Sequence, residues 1–179
     1  MEFVNKLETM VGGWFKSVPH LPVAGQKWLG VNAWWIVLIG VILSGIGVLM
    51  SLGAIFTAMS LFGVASSYGA FVVQSYTGMW FFAAIVGLLF SALSVLILAL
   101  AINPLKELKK KGWSLLFLSW VVNAVAIVVN IILTFNPVGL VMGVIFGAIG
   151  LGIGAYFLFE IKSQYQGSSK KTKATTSTN

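Results

Sequence analysis

The chain has no cysteine, all eleven of its basic residues are lysine, its four acidic residues are glutamate, and it has a single histidine. Without cysteine there is no disulfide, no thiolate nucleophile and no cysteine-held metal. Without arginine there is no planar fork for reading a phosphate bidentately, so no nucleic-acid partner is expected despite a formal charge of +7. Charge of either sign is scarce, at 8% of residues, while 59% are apolar and the mean hydropathy is +0.99. That balance excludes an ordinary soluble domain. An apolar leader ahead of a cleavage site is also missing: residues 1–27 carry both charge signs, two prolines and a Gly-Gly pair, so no cleavable signal peptide is expected.

What charge there is falls in three short segments, 2–27, 106–111 and 160–173. The stretches between them are uncharged and dominated by apolar residues. An ionised side chain is costly at the centre of a hydrocarbon layer, so such gaps mark polypeptide that lies in lipid. About 20 residues of helix cross a core about 30 Å thick. The run from Gly112 to Phe159 is about 48 residues, roughly 72 Å of helix, and must fold back. Asn136-Pro137-Val138-Gly139 has the residues of a type I turn at that point.

The fold expected is all-α and polytopic: a four-helix transmembrane bundle with an N-terminal interfacial amphipathic helix. Spans are placed at about 33–62, 79–102, 113–135 and 138–159 within a bundle covering 28–161. Two forms of the first span fit the sequence: one long helix, tilted or bent near Ser51-Leu52-Gly53, and a helix of about 20 residues that leaves 54–65 re-entrant. Residues 66–78 (SSYGAFVVQSYTG) read as an outward loop, and Asn103-Pro104 as the end of the second span. Pro104–Lys111 reads as a short helix capped by Asn103 and closed by Gly112, with Glu107 and Lys111 paired at i,i+4. In residues 1–27, a cytoplasmic helix and linker, Phe3, Val4, Leu7, Met10, Val11, Trp14 and Phe15 share helical spacing, which suits a membrane-surface anchor or a partner-binding helix. Residues 162–179 read as a disordered basic tail.

All eleven lysines fall on one side of this arrangement, so both termini are expected in the cytoplasm. Trp28, Trp34, Trp35 and Trp113 are placed near the inner interface and Trp80 near the outer one, with Trp120 the exception inside its span. Lys106, Lys109, Lys110 and Lys111 are candidate contacts to anionic lipid headgroups; they also serve simply to fix topology. Glu2, Glu8, Glu107 and Glu160 are scattered, and His20 stands alone in a Pro-His-Leu-Pro linker. No acid–base pair, metal set or nucleophile can be assembled from them, so neither enzymatic activity nor a cofactor is expected. The glycines of Gly150-Leu151-Gly152-Ile153-Gly154 follow no strand and do not make a dinucleotide loop.

Inside the spans two patterns stand out. Gly139, Gly143, Gly147, Gly150 and Gly154 fall within an arc of about 80° on the fourth span, a packing seam, and Gly40, Ser44, Gly47, Ser51, Ala54 and Ala58 form a similar face on the first. On the third span Ser119, Asn123, Asn130 and Thr134 share an arc of about 60° that must meet protein or water. Ser94, Ser44 and Ser51 are the candidate partners for the two amides.

The run NPLKELKKKGWSLLF at 103–117, with Trp14-Phe15 and Trp34-Trp35 upstream, resembles a group of small uncharacterised membrane proteins of reduced-genome, host-attached bacteria. The resemblance implies four spans and a bacterial inner membrane, and brings no activity. Two readings follow. One is a membrane scaffold or accessory subunit assembling through glycine seams, with the bilayer, anionic lipids and a homo-oligomer or membrane-protein partner as its contacts. The other is a small transporter or channel for a neutral solute or lipid, lined by the polar face of the third span.

Overall fold

The computed structural model describes residues 2–15, 17–67, 71–134 and 137–166. Those residues form five helices and no strand: α1 Glu2–Trp14, α2 Val23–Ser67, α3 Phe71–Lys106, α4 Lys110–Thr134 and α5 Pro137–Gln166. The protein is an all-α bundle in which α2 to α5 each contain a stretch long and apolar enough to cross a membrane. Large apolar side chains are exposed along the outside of α2 to α5, among them Leu43, Met50, Leu96, Ile132 and Phe146, as lipid-facing surfaces require.

The helices run further than the sequence predicts, for local reasons. α2 starts at Val23, about ten residues early, because Pro22 can precede a first turn and its carbonyl accepts Gln26 N–H at 3.0 Å. The helix then continues for 45 residues, roughly 67 Å. It neither breaks at Ser51-Leu52-Gly53 nor becomes re-entrant over 54–65. Ser51 and Thr57 instead bond the carbonyls of Gly47 and Gly53 one turn back, both at 2.9 Å. The outward loop expected over 66–78 is helical at both ends: 66–67 close α2 and α3 begins at Phe71. The segment FVVQSYTGM has no proline to interrupt a helix and no charge that needs water.

The second correction is at Pro104. A proline two residues from a helix end forfeits only its own bond to the preceding turn, and α3 runs through it to Lys106. Lys109 N–H then bonds Pro104 O at 2.9 Å and Leu108 N–H bonds Leu105 O at 3.0 Å, with Leu108 left-handed at φ 50°. This is a Schellman close with leucine where glycine is usual. The strain, about 1–2 kcal/mol, is offset by packing the Leu108 side chain on the buried core. Lys110, Lys111 and Gly112 therefore open α4 and do not end a separate helix. The ion pair across the turn is Lys109 with Glu107, and no Glu107–Lys111 pair spans a helical turn.

Gly112 is required where α4 leaves this turn. A Cβ there would lie 2.8 Å from Leu105 N and 2.9 Å from Pro104 C, both backbone atoms that cannot give way. α4 otherwise matches its expected span within three residues at the start. α5 begins on Pro137, a residue suited to a first helical position. It continues past Phe159 to Gln166, so 162–166 are helix and not disordered tail; the remainder of that tail, and Phe135 and Asn136, lie outside the described residues.

The buried core sits at the lysine-bearing end. Leu105, Trp113, Phe117 and Tyr165 are the largest fully buried side chains. Trp113 stacks on Phe117 at 5.6 Å, and both meet Phe159 edge-on. Trp113, placed at the interface by its sequence position, is 2% exposed, and its Nε1–H bonds Leu158 O at 2.8 Å. α1 is docked on this end. Val11 is buried, Phe15 stacks on Phe159 at 5.9 Å, and Glu8 pairs with Lys162 at 2.8 Å. Gly12 lets the helix approach: a Cβ there would come 2.9 Å from the Phe159 ring. Met10 and Trp14 remain exposed on the outer face.

Candidate functional site: a latched base and an open crevice

The linker between α1 and α2 passes beneath α5 and is tied to it by one carboxylate. Glu160 is 3% exposed at its side chain. Its Oε1 lies 2.6 Å from His20 Nδ1, and its Oε2 accepts Leu21 N–H and Gln26 Nε2–H, both at 2.9 Å. An ionised carboxylate can only accept, so Nδ1 carries the proton in this contact. Gln26 also donates to Leu21 O at 3.1 Å, which fixes the turn into α2. Around the carboxylate, Tyr156 Oη–H bonds Pro19 O and Tyr165 Oη–H bonds Gly30 O, each at 2.8 Å. At Gly30 a Cβ would lie 2.7 Å from Gln164 Cγ, so α2 and α5 approach there as closely as glycine permits.

The latch brings together two residues that sequence reasoning left apart. His20 and Glu160 are 140 positions apart and share no motif spacing. The available signal was chemical: a lone glutamate adjoining a long uncharged run needs a specific partner.

Above the latch the two helices part. A Cβ at Gly150 of α5 would meet nothing within 4 Å. The gap is a crevice of about 710 Å³. Leu29, Ala33, Ile36 and Val37 of α2 form one wall; Phe146 to Ile161 of α5 form the other; Trp120, Asn123 and Ile127 of α4 lie between them. Its polar side chains are Ser119, Asn123 and Trp120, the last bonding Leu151 O through Nε1–H at 2.9 Å. Ile36, Phe146 and Phe157 on the walls are exposed, so the crevice opens to the surroundings of the bundle.

The polar stripe of α4 divides between this crevice and α3. Ser119 is buried, and Asn123 Nδ2–H bonds Ser94 Oγ of α3 at 3.2 Å and Ser119 O at 2.8 Å. Asn130 Nδ2 would be 3.5 Å from a Cβ at Gly87 of α3. The Thr134 side chain lies outside the described residues. Of the other candidate partners for the amides, Ser51 bonds its own helix.

The two glycine faces have different surroundings. On α5, a Cβ at Gly143, Gly147 or Gly154 would reach Ile131, Ile127 or Trp120 of α4 at 3.5, 3.0 and 3.5 Å. Gly150 faces open space, and the side-chain position of Gly139 is outside the described residues. On the α2 face, Gly40 and Gly47 meet nothing within 4 Å. Of the lysines in the α3–α4 turn, Lys106 lies over the Trp34 ring at 4.4 Å, Lys109 pairs with Glu107, and Lys110 and Lys111 are exposed. Among the described residues no three His or Glu side chains gather as a metal site would need. Compared with family models, with curated proteins and with solved structures, the chain has no match in any of the three.

Proposed function

We propose that the protein is a non-catalytic scaffold or accessory subunit of a bacterial inner membrane, with both termini in the cytoplasm. The observation that carries this reading is the use made of the polar groups within the spans. Asn123 ties α4 to Ser94 of α3, and Trp113 and Trp120 tie α4 to carbonyls of α5. These are ties between helices, of the kind worth roughly 0.6 kcal/mol each in a membrane interior.

The seam that serves assembly is then the face of α2. The glycines of α5 are largely occupied by α4 within the chain, whereas Gly40 and Gly47 of the α2 face have no neighbour within 4 Å. Without water to drive burial, a second membrane helix gains most where backbones approach closely, and this face offers that approach. The placement of all lysines at one end supports cytoplasmic termini. The resemblance of residues 103–117 to inner-membrane proteins of host-attached bacteria supports the compartment.

Native mass spectrometry from lipid nanodiscs tests the reading. A mass above one chain, reduced to one chain by Gly47→Leu with no loss of thermal stability, is expected. A parent protein that is a lone chain throughout would sink it. A transporter or channel is the second reading, favoured by the exposure of Asn123 on the crevice wall; thiol labelling separates the two.

A further inference from the structure

The helices that meet at the lysine-bearing end keep one register along their length. Between α3 and α4, Leu105 lies against Gly112, Ser94 bonds Asn123 and Gly87 faces Asn130. Each step back on α3 is a step forward on α4. Between α4 and α5, Trp113 bonds Leu158 O and Trp120 bonds Leu151 O in the same manner. Carried to the turn, this register sets Lys106, Lys111 and Lys162 within one turn of a common level. An ammonium group keeps to water or headgroups, so these lysines mark the edge of the lysine-side leaflet.

α1 starts at that edge and runs inward. Glu8 pairs with Lys162, Gly12 lies against the Phe159 ring, Phe15 meets both Phe159 and Tyr156, and Pro19 O accepts the Tyr156 hydroxyl. From residue 162 to residue 156 is about 9 Å along α5, or about 7 Å of depth at the largest usual tilt of about 40°. Interfacial helices bury their apolar face about 5–10 Å into the boundary between headgroups and acyl chains. α1 and its linker reach that depth.

Two further observations fit a segment held in lipid. The polar groups of the linker are served by α5: Tyr156 takes Pro19 O, and the Glu160 carboxylate takes Leu21 N–H and the His20 ring. The outer side of α1 is apolar where it is deep. Val11 is buried against the bundle, while Lys6, Met10, Gly13 and Trp14 are exposed within an arc of about 100°. Lys6, the charge on that arc, is at its outer end, and Met10 and Trp14 lie inward of it. The surface is continuous with the lipid-facing exterior: Phe15 meets Tyr156, whose ring meets Phe157, itself exposed on α5.

We propose that α1 and the linker after it form a wedge inserted obliquely in the lysine-side leaflet, with Met10 and Trp14 against acyl chains and Lys6 among the headgroups. The wedge depends on the spans and not on the scaffold reading.

The test uses the full chain, which has no cysteine of its own, carrying single spin-labelled cysteines and reconstituted in vesicles of phosphatidylglycerol and phosphatidylcholine. Power saturation compares collision with oxygen, which concentrates in hydrocarbon, and with a nickel chelate, which stays in water. Lys110→Cys and Leu43→Cys, both at exposed positions, are the water and lipid references. The oxygen-to-nickel ratio should match the water reference at Lys6→Cys. At Met10→Cys and Trp14→Cys it should lie between the references, with Trp14→Cys nearer the lipid one. Gly13→Cys, where a side chain meets nothing within 4 Å, reads the same face if Trp14→Cys folds poorly. Ratios at the water reference for Met10→Cys and Trp14→Cys would place the face in water, and weak collision with both reagents would mean that a second chain covers it. Either result overturns the wedge. A ratio lower at Trp14→Cys than at Met10→Cys would overturn the oblique insertion.

Discussion

His20 and Glu160 meet at 2.6 Å across 140 residues of chain, and their contact joins the linker that follows α1 to the far end of α5. A carboxylate this well buried is stable only when its oxygens are satisfied, and here two further donors, Leu21 N–H and Gln26 Nε2–H, share it. Glu160→Gln replaces one acceptor oxygen with an NH₂ that faces donors. It should cost about 1–3 kcal/mol, read as a fall in unfolding temperature in detergent. His20→Ala should cost less, because the imidazole is 58% exposed and the other two donors remain. Equal stability of Glu160→Gln and parent would show that the carboxylate does not hold the base together.

The α3–α4 turn should tolerate no side chain at Gly112. Its neighbours at 2.8 and 2.9 Å are backbone atoms of Leu105 and Pro104, so Gly112→Ala must displace a helix end, at about 1–3 kcal/mol for overpacking. Gly13→Ala is the control: nothing lies within 4 Å, and alanine favours a helix over glycine by up to about 1 kcal/mol. Thermal melts of the two variants should move in opposite directions; a parallel loss would contradict the contact.

Gly147 and Gly150, both from the same stripe of α5, should respond differently to leucine. Gly147→Leu drives a side chain into Ile127, whose Cγ2 is already 3.0 Å from a Cβ position, and should lose about 1–3 kcal/mol. Gly150→Leu enters the crevice and should melt with the parent, as should Ile145→Leu, a near volume-conserving change at an exposed position. A stable Gly147→Leu would place that face in lipid.

These contrasts show what the sequence could carry. Four helices long and apolar enough to span were legible because charge is excluded from hydrocarbon, and the gaps in charge are long. The exact ends were not. An uncharged polar segment such as 71–78 is compatible with either helix or loop, and Pro104 lies near enough to a helix end for α3 to run past it. The small-residue faces of α2 and α5 look alike in spacing, yet α4 covers one and the other stays open. Period identifies a face on which backbones can approach; it does not identify the neighbour. The Asn123–Ser94 bond was within reach as chemistry, since a buried amide needs a partner, whereas the His20–Glu160 latch required the fold.

Cytoplasmic termini are checked in intact cells with a membrane-impermeant thiol reagent, which is clean because the parent has no cysteine. Ser66→Cys and Tyr76→Cys should label, and Ser169→Cys should label only after lysis. Labelling of Ser169→Cys with both other sites silent would reverse the topology.

The scaffold account depends most on whether the amide face of α4 meets helix or water. Thiol reactivity of Asn123→Cys and Asn130→Cys toward small hydrophilic reagents in folded, membrane-embedded protein measures this directly. A cysteine facing α3 or a crevice filled with hydrocarbon stays protonated and should remain unreacted, as should Val125→Cys and Ile132→Cys on the exposed, lipid-facing side. Rapid labelling at both asparagine positions, with the other two silent, would contradict the scaffold account and establish a water-lined path.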